Sequence, residues 1–240
     1  MNPPRLTILP KPLIAITLAF MLSTVIGTVS HEFGHLLTAR ALGYTPVLHF
    51  AEVEYGSSAL TDELEKVYES FSDQIKANED FPGKEAYEKN RERFMSEMVW
   101  VTLGGPIQTC LTGTIGLLLL LWRRKSWKNG KLSLTDWLGV FLSLFWLREV
   151  FNLLTGFISE LLSPNGYYFG GDEYVATLYL DLAPGLIAIP LALTGAAVSV
   201  FIVFRVIPPR LRPTFIISGF VGAALGFAGW MYWLGPIVLP

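Results

Sequence analysis

Several stretches of this chain are long and apolar enough to cross a bilayer, and nothing else in the sequence constrains its fold as strongly. They run from about Pro12 to Leu42, Met98 to Trp122, Leu134 to Leu162, Leu182 to Val206 and Pro213 to Leu239. The fold expected is an all-α membrane protein of about five transmembrane helices, with a polar helical insertion between the first and the second. Hydrophobic residues make up 52% of the 240 and charged residues 16%, against about 25% charged in a soluble domain. That excludes a disordered chain, a collagen-like chain and an ordinary soluble globule. A net charge of -2 provides no basic footprint, so no nucleic-acid partner is expected. Cys110 is the single cysteine and cannot form an intrachain disulfide, which leaves the redox compartment open.

The chain divides into residues 1–50 (first span), 51–97 (polar insertion), 98–162 (second and third spans), 163–181 (a loop) and 182–240 (fourth and fifth spans). Arg5 and Lys11 ahead of the apolar Leu13–Ile26 stretch also fit a secretory leader. The apolar pattern continues past Ser30 to Ala41, however, which favours a retained span. Basic residues set an orientation. Arg5 and Lys11 precede the first span. Arg123, Arg124, Lys125, Lys128 and Lys131 follow the second, and Arg205, Arg210 and Arg212 separate the last two. With five spans all of these fall on one side. Residues 51–97, with 13 acids and 6 bases, fall on the other together with the loop 163–181. The positive-inside bias then predicts a multi-pass protein of the cell membrane with a cytoplasmic N-terminus. Within the insertion, Leu60, Leu64, Val67, Phe71 and Ile75 recur at helical spacing, and Asn78–Gly83 is a breaker cluster. An amphipathic helical hairpin is expected there, either as a solvated connector or as a lid or substrate-docking element.

The chemistry is concentrated in His31-Glu32-Phe33-Gly34-His35. Histidines four apart sit one above the other on a helix and can aim ring nitrogens at one ion, which predicts a Zn2+ site. Glu32, beside the first ligand, is placed to act as the catalytic base on a water. Shuffling this composition produces the pattern only ~0.001 times per sequence, so chance is a poor explanation. Thr24, Thr28, His31, His35 and Thr38 form one polar stripe on an otherwise apolar helix, and Gly27, Gly34 and Ala41 a stripe of small residues. Ionisable groups at membrane depth face the bundle interior or a cavity, and the stripe matches that.

His31 to Gly43, with its His-Glu-Phe-Gly-His core, resembles the signature helix of the site-2 protease family of intramembrane zinc metalloproteases. Gly104-Gly105-Pro106-Ile107-Gln108-Thr109 is similar to the family's Gly-Pro helix, with Gln108 and Thr109 where relatives often carry Asn. Asn152-Leu153-Leu154 resembles the start of an Asn-containing helix that leads, in the family, to a ligating Asp followed by Gly. Here the next Asp is Asp172, 20 residues on, and its glycines, Gly170 and Gly171, precede it. The resemblance is specific around His31–Gly43, diffuse over the second and third spans, and says little about the last two. The insertion is too short for the PDZ module that many relatives carry. The family implies a zinc-dependent intramembrane endopeptidase of the kind used in regulated intramembrane proteolysis. Its substrates would be transmembrane proteins, with His31, His35 and Asp172 on the metal and Asn152 on the substrate backbone.

Read from the residues, the third ligand stays open among three acids. Asp172 follows two glycines and lies on the side predicted for the end of the first span. Glu173 shares that location. Glu149, beside Arg148 and three before Asn152, is an ionisable residue inside the third span and is a rival as ligand or as support for a histidine. Gly104-Gly105-Pro106 is expected to loosen its helix or to offer backbone to an extended substrate. Thr45–Phe50 has strand character and could bind an unwound substrate by strand addition, with His49 at the membrane boundary. Trp230, Tyr232 and Trp233 fit an interfacial aromatic belt, and Gly195, Ala196, Gly219, Gly222 and Gly226 fit helix packing. Two other readings of the whole remain: a catalytically silent scaffold that binds a partner helix, and a metal or solute transporter. The transporter would need a continuous polar path, which the last two spans lack. Oligomeric state is not legible.

Overall fold

The protein is described from a computed structural model covering residues 8–164, 166 and 168–240. Arg5, used above for orientation, and Asn165 and Tyr167 of the loop lie outside the described residues. In chain order the elements are α1 (Pro10–Ala41), β1 (Val47–Leu48), β2 (Val53–Glu54), α2 (Ala59–Ala77), α3 (Lys84–Trp122), α4 (Arg124–Trp127), α5 (Leu134–Ser143), α6 (Leu147–Leu162), α7 (Gly171–Tyr179), α8 (Ala188–Phe201), α9 (Arg212–Gly229) and α10 (Gly235–Val238). A 3-10 turn, Leu144–Trp146, joins α5 to α6, and π-helical turns extend α8 and α9. Among the described residues, five helices are long and apolar enough to span a membrane: Pro10–Ala41, Lys84–Trp122, Leu134–Leu162, Ala188–Val206 and Arg212–Val238. The chain is an all-α membrane protein.

Three differences from the sequence reading have local causes. The insertion does not stop before the second span. Its second helix and that span are one 39-residue rod, α3, because no breaker separates Lys84 from Met98. The fourth span starts at Ala188 instead of Leu182: Pro184 has no N–H to give a helix, and Gly185 sits at φ +83. Pro106 does not interrupt α3, which runs unbroken through it.

The insertion is a hairpin of α2 and the first half of α3. A reciprocal Ser58–Thr61 capping box starts α2, and Asn78 in the left-handed conformation ends it. Phe81 is buried in the turn, stacked on Phe71 and edge-on to Tyr87. Tyr44, just past α1, donates to Glu97 of α3 at 2.9 Å, and Arg93 donates to the other oxygen of that carboxylate at 2.8 Å. Burial and the Glu97 carboxylate push the Tyr44 phenol up to about 12.

Small residues set the helix spacing. A Cβ on Gly222 or Gly226 of α9 would lie 2.5 or 2.7 Å from the Thr17 or Met21 carbonyl of α1. A Cβ on Gly34 of α1 would lie 2.3 Å from the Gly104 carbonyl of α3, and one on Gly195 of α8 2.3 Å from the Trp146 carbonyl. Gly219 meets the Phe20 ring at 3.3 Å, whereas Gly27 has only the Phe145 ring at 4.0 Å and supports no close approach. The largest apolar cluster gathers Ile16, Phe20, Leu120, Trp127, Val140, Trp146, Ile202 and Phe215 from all five spans and α4, and includes neither histidine of the motif.

The Thr45–Phe50 stretch does form a strand, but its partner is β2: Val47 pairs with Glu54 and Leu48 with Val53, antiparallel. The turn between them is tied to the C-terminal segment. Phe50 N donates to the Leu239 carbonyl at 3.0 Å, Trp230 Nε1 donates to the Phe50 carbonyl at 2.7 Å, and His49 Nδ1 bonds the Pro240 carbonyl oxygen. Trp230 is therefore buried, not part of an interfacial belt, while Tyr232 and Trp233 are exposed.

Candidate metal centre

The site lies where α1, α3, α6 and α7 meet. On α1 the threonines of the polar stripe satisfy themselves, since Thr24, Thr28 and Thr38 each donate to the carbonyl four residues back. His31, Glu32 and His35 instead are buried and reach other elements. His31 Nδ1 meets Thr109 Oγ1 of α3 at 2.9 Å, and His35 Nδ1 meets the Val101 carbonyl of α3 at 2.7 Å. A carbonyl only accepts, so Nδ1 of His35 carries a proton and its Nε2, when the ring is neutral, presents a lone pair. Both rings are held by their back nitrogens with Nε2 forward, the arrangement usual for metal-ligating histidines.

The two Nε2 atoms are 3.2 Å apart. Oδ2 of Asp172, on the first turn of α7, lies 2.8 Å from Nε2 of His31 and 3.4 Å from Nε2 of His35. Burial alone would raise the Asp172 carboxyl; its contacts with the two imidazoles outweigh that and hold it below the usual carboxylate range. His31, His35 and Asp172 form a group able to hold a metal ion.

Two observations test that fit. Ligands about 2.0–2.1 Å from a tetrahedral ion lie roughly 3.3 Å from one another, close to the separations seen here. Gly105 of α3 leaves the room: a Cβ there would sit 2.3 Å from Nε2 of His35 and 2.4 Å from Nε2 of His31. The Gly-Gly-Pro motif thus acts through missing side chains, Gly104 admitting the α1 backbone and Gly105 clearing the two ring nitrogens. Two imidazoles and a carboxylate suit a divalent first-row ion, zinc and iron(II) among them.

Glu149 and Glu173, the other acids weighed as ligands, do not belong to this group. Both are fully buried and interact with each other across the α6–α7 contact. Asn152, expected on the substrate backbone, points its Nδ2 at Glu173, 3.3 Å from each carboxylate oxygen. Gly171, at φ +77, closes the turn, and a Cβ there would lie 2.9 Å from Glu173 Oε2. Asn152 therefore holds Glu173, the residue next to Asp172, and helps set where α7 presents its aspartate.

Glu32 is 6% exposed, and its one charged neighbour within ion-pair distance among the described residues is Arg148 of α6, whose Nη2 lies 3.9 Å from Oε1. Tyr55, just past β2, feels both Asp172 and Glu32; burial and those two charges push its phenol up to about 12. Thr109 was noted in the sequence only as part of the Gly-Pro motif and not as a partner of His31, and the Val101 carbonyl and Tyr55 were not singled out: each matters through residues far along the chain. Compared with protein-family models, curated proteins and solved structures, the chain matches none.

Proposed function

We propose that the protein is a zinc-dependent intramembrane metalloendopeptidase, akin to the site-2 proteases, which hydrolyses peptide bonds in or near transmembrane segments of its substrates. One observation carries this reading: Nε2 of His31, Nε2 of His35 and a carboxylate oxygen of Asp172 converge beside a glycine, with the Glu32 carboxylate buried on the same turn of α1. His31, His35 and Asp172 would hold the ion. When bound, zinc supplies Lewis acidity, polarising a carbonyl and making a water acidic near neutral pH. Glu32 takes the proton of the attacking water and returns it to the leaving amide nitrogen. Thr109 and the Val101 carbonyl keep the imidazoles oriented through the cycle. Helical peptide bonds are sterically and hydrogen-bond protected, so the substrate segment must unwind locally to reach Glu32. The charge asymmetry supports a cell-membrane location with a cytoplasmic N-terminus.

The test is purified Glu32→Gln protein in detergent, assayed for metal by elemental analysis and for cleavage of apolar transmembrane peptides by mass spectrometry. Zinc near one per chain with no cleavage is expected. Turnover by this variant would refute the assigned base, and a wild-type protein without zinc would refute the peptidase reading.

A further inference from the structure

Among the described residues Arg148 is the one arginine or lysine within ion-pair distance of Glu32, and its chemistry is left over once the metal ligands and the base have been assigned. It sits on the first turn of α6, inside the third apolar span, where an arginine is unfavourable without a role. Among the described residues its ion-pair contact is with Glu32 and not with its neighbour Glu149, whose carboxylate oxygens have no hydrogen-bond partner. The 3.9 Å between Nη2 and Glu32 Oε1 is an ion-pair distance but too long for a hydrogen bond. Nε is buried and has no hydrogen-bond partner among the described residues. The side chain as a whole is 29% exposed, so it borders space that an incoming chain can enter. It acts electrostatically on His31 and Glu32 together. A forked donor with unused N–H groups, fixed beside the base and open to an incoming chain, is what an oxygen gaining negative charge requires.

We infer that Arg148 is a catalytic residue, donating hydrogen bonds to the carbonyl oxygen of the scissile peptide as water adds; this rests on the peptidase reading above. As the water oxygen bonds to the carbonyl carbon, the carbonyl π pair moves onto the oxygen, and Glu32 takes the water's proton. When the carbon–nitrogen bond breaks, that pair returns to the carbonyl and Glu32 delivers the proton to the nitrogen. The guanidinium keeps all its protons throughout. Its contacts strengthen only as charge develops, so it acts on kcat more than on KM.

The test uses zinc-loaded full-length protein in detergent micelles, comparing wild type with Arg148→Gln, Arg148→Lys and Arg148→Ala. Metal content is expected to equal that of wild type in all three. Acetohydroxamate, whose carbonyl oxygen stands in for the scissile one, is titrated calorimetrically. Its affinity should fall about 10-fold in Arg148→Gln and recover in part in Arg148→Lys. On a transmembrane peptide that the wild type cleaves, kcat of Arg148→Ala should fall ~100-fold with KM nearly unchanged, and added guanidinium should restore part of it. Unchanged hydroxamate affinity in Arg148→Gln, or a kcat loss that guanidinium does not relieve, would overturn the role of Arg148 and leave the peptidase reading standing. A wild type that holds no zinc would overturn both.

Discussion

The two halves of α1 are built on different terms. From Ile16 to Gly27 the helix is apolar, its threonines bond to their own backbone, and it is fastened to α9 by glycines and by the Phe20 ring, which sits edge-on to Phe141 and Phe215. From His31 to Ala39 it buries two imidazoles and a carboxylate, and every one of them has its partner on another element. Dispersion in the first half is non-directional and summed over many contacts, so it can relax around a change. In the second half a few directional contacts position three donor atoms, and each has no substitute. One helix thus carries a packing region and a site region end to end, and the two should respond to mutation on different scales.

Metal affinity should respond to changes in the site half and not to those in the packing half. Replacing His35 with Ala should weaken zinc binding by more than ~100-fold, since apparent zinc energies of about 10 kcal/mol are shared among few ligands. Gly105→Ala should cost as much although it removes no ligand, because its Cβ would fall within 2.4 Å of both ring nitrogens. Competition with a chromophoric chelator measures both, and a Gly105→Ala protein that binds zinc like wild type would dissolve the claim that this glycine clears the site. Asn152→Ala and Thr109→Val act one step further out. Losses of about 10-fold are expected for each, the range of outer-sphere partners, by the same titration. No change in Asn152→Ala would mean that Glu173 does not fix where α7 presents Asp172. The smallest effect belongs to the packing half. Gly222→Ala pushes a methyl toward the Thr17 carbonyl, so the melting temperature should drop by several degrees while zinc per folded chain and its affinity hold. If affinity fell along with stability there, the two halves would be one cooperative unit and the comparison would fail.

Much of the bundle was legible because its signals are local. Apolar runs mark the spans wherever they fall, and the breaker cluster at Asn78–Gly83 announced the insertion's turn. Misjudged boundaries, such as Leu182 for Ala188, arose where hydropathy continued through a segment that Pro184 and Gly185 keep out of helix. Trp230 was misread for another reason: an indole at a span's end looks the same in sequence whether it meets lipid or, as here, the Phe50 carbonyl 180 residues away.

What the sequence determined by itself is whatever follows from the period of one helix: five apolar spans, one polar stripe, and His31, Glu32 and His35 within a single turn. Which acid meets the histidines, what Gly105 makes room for, and why Arg148 lies beside Glu32 depend on three dimensions. Adjacent residues on a helix point about 100° apart. Which of them faces the site depends on how α6 and α7 are rotated against α1 and α3, and that rotation is set by packing between segments far apart in the chain.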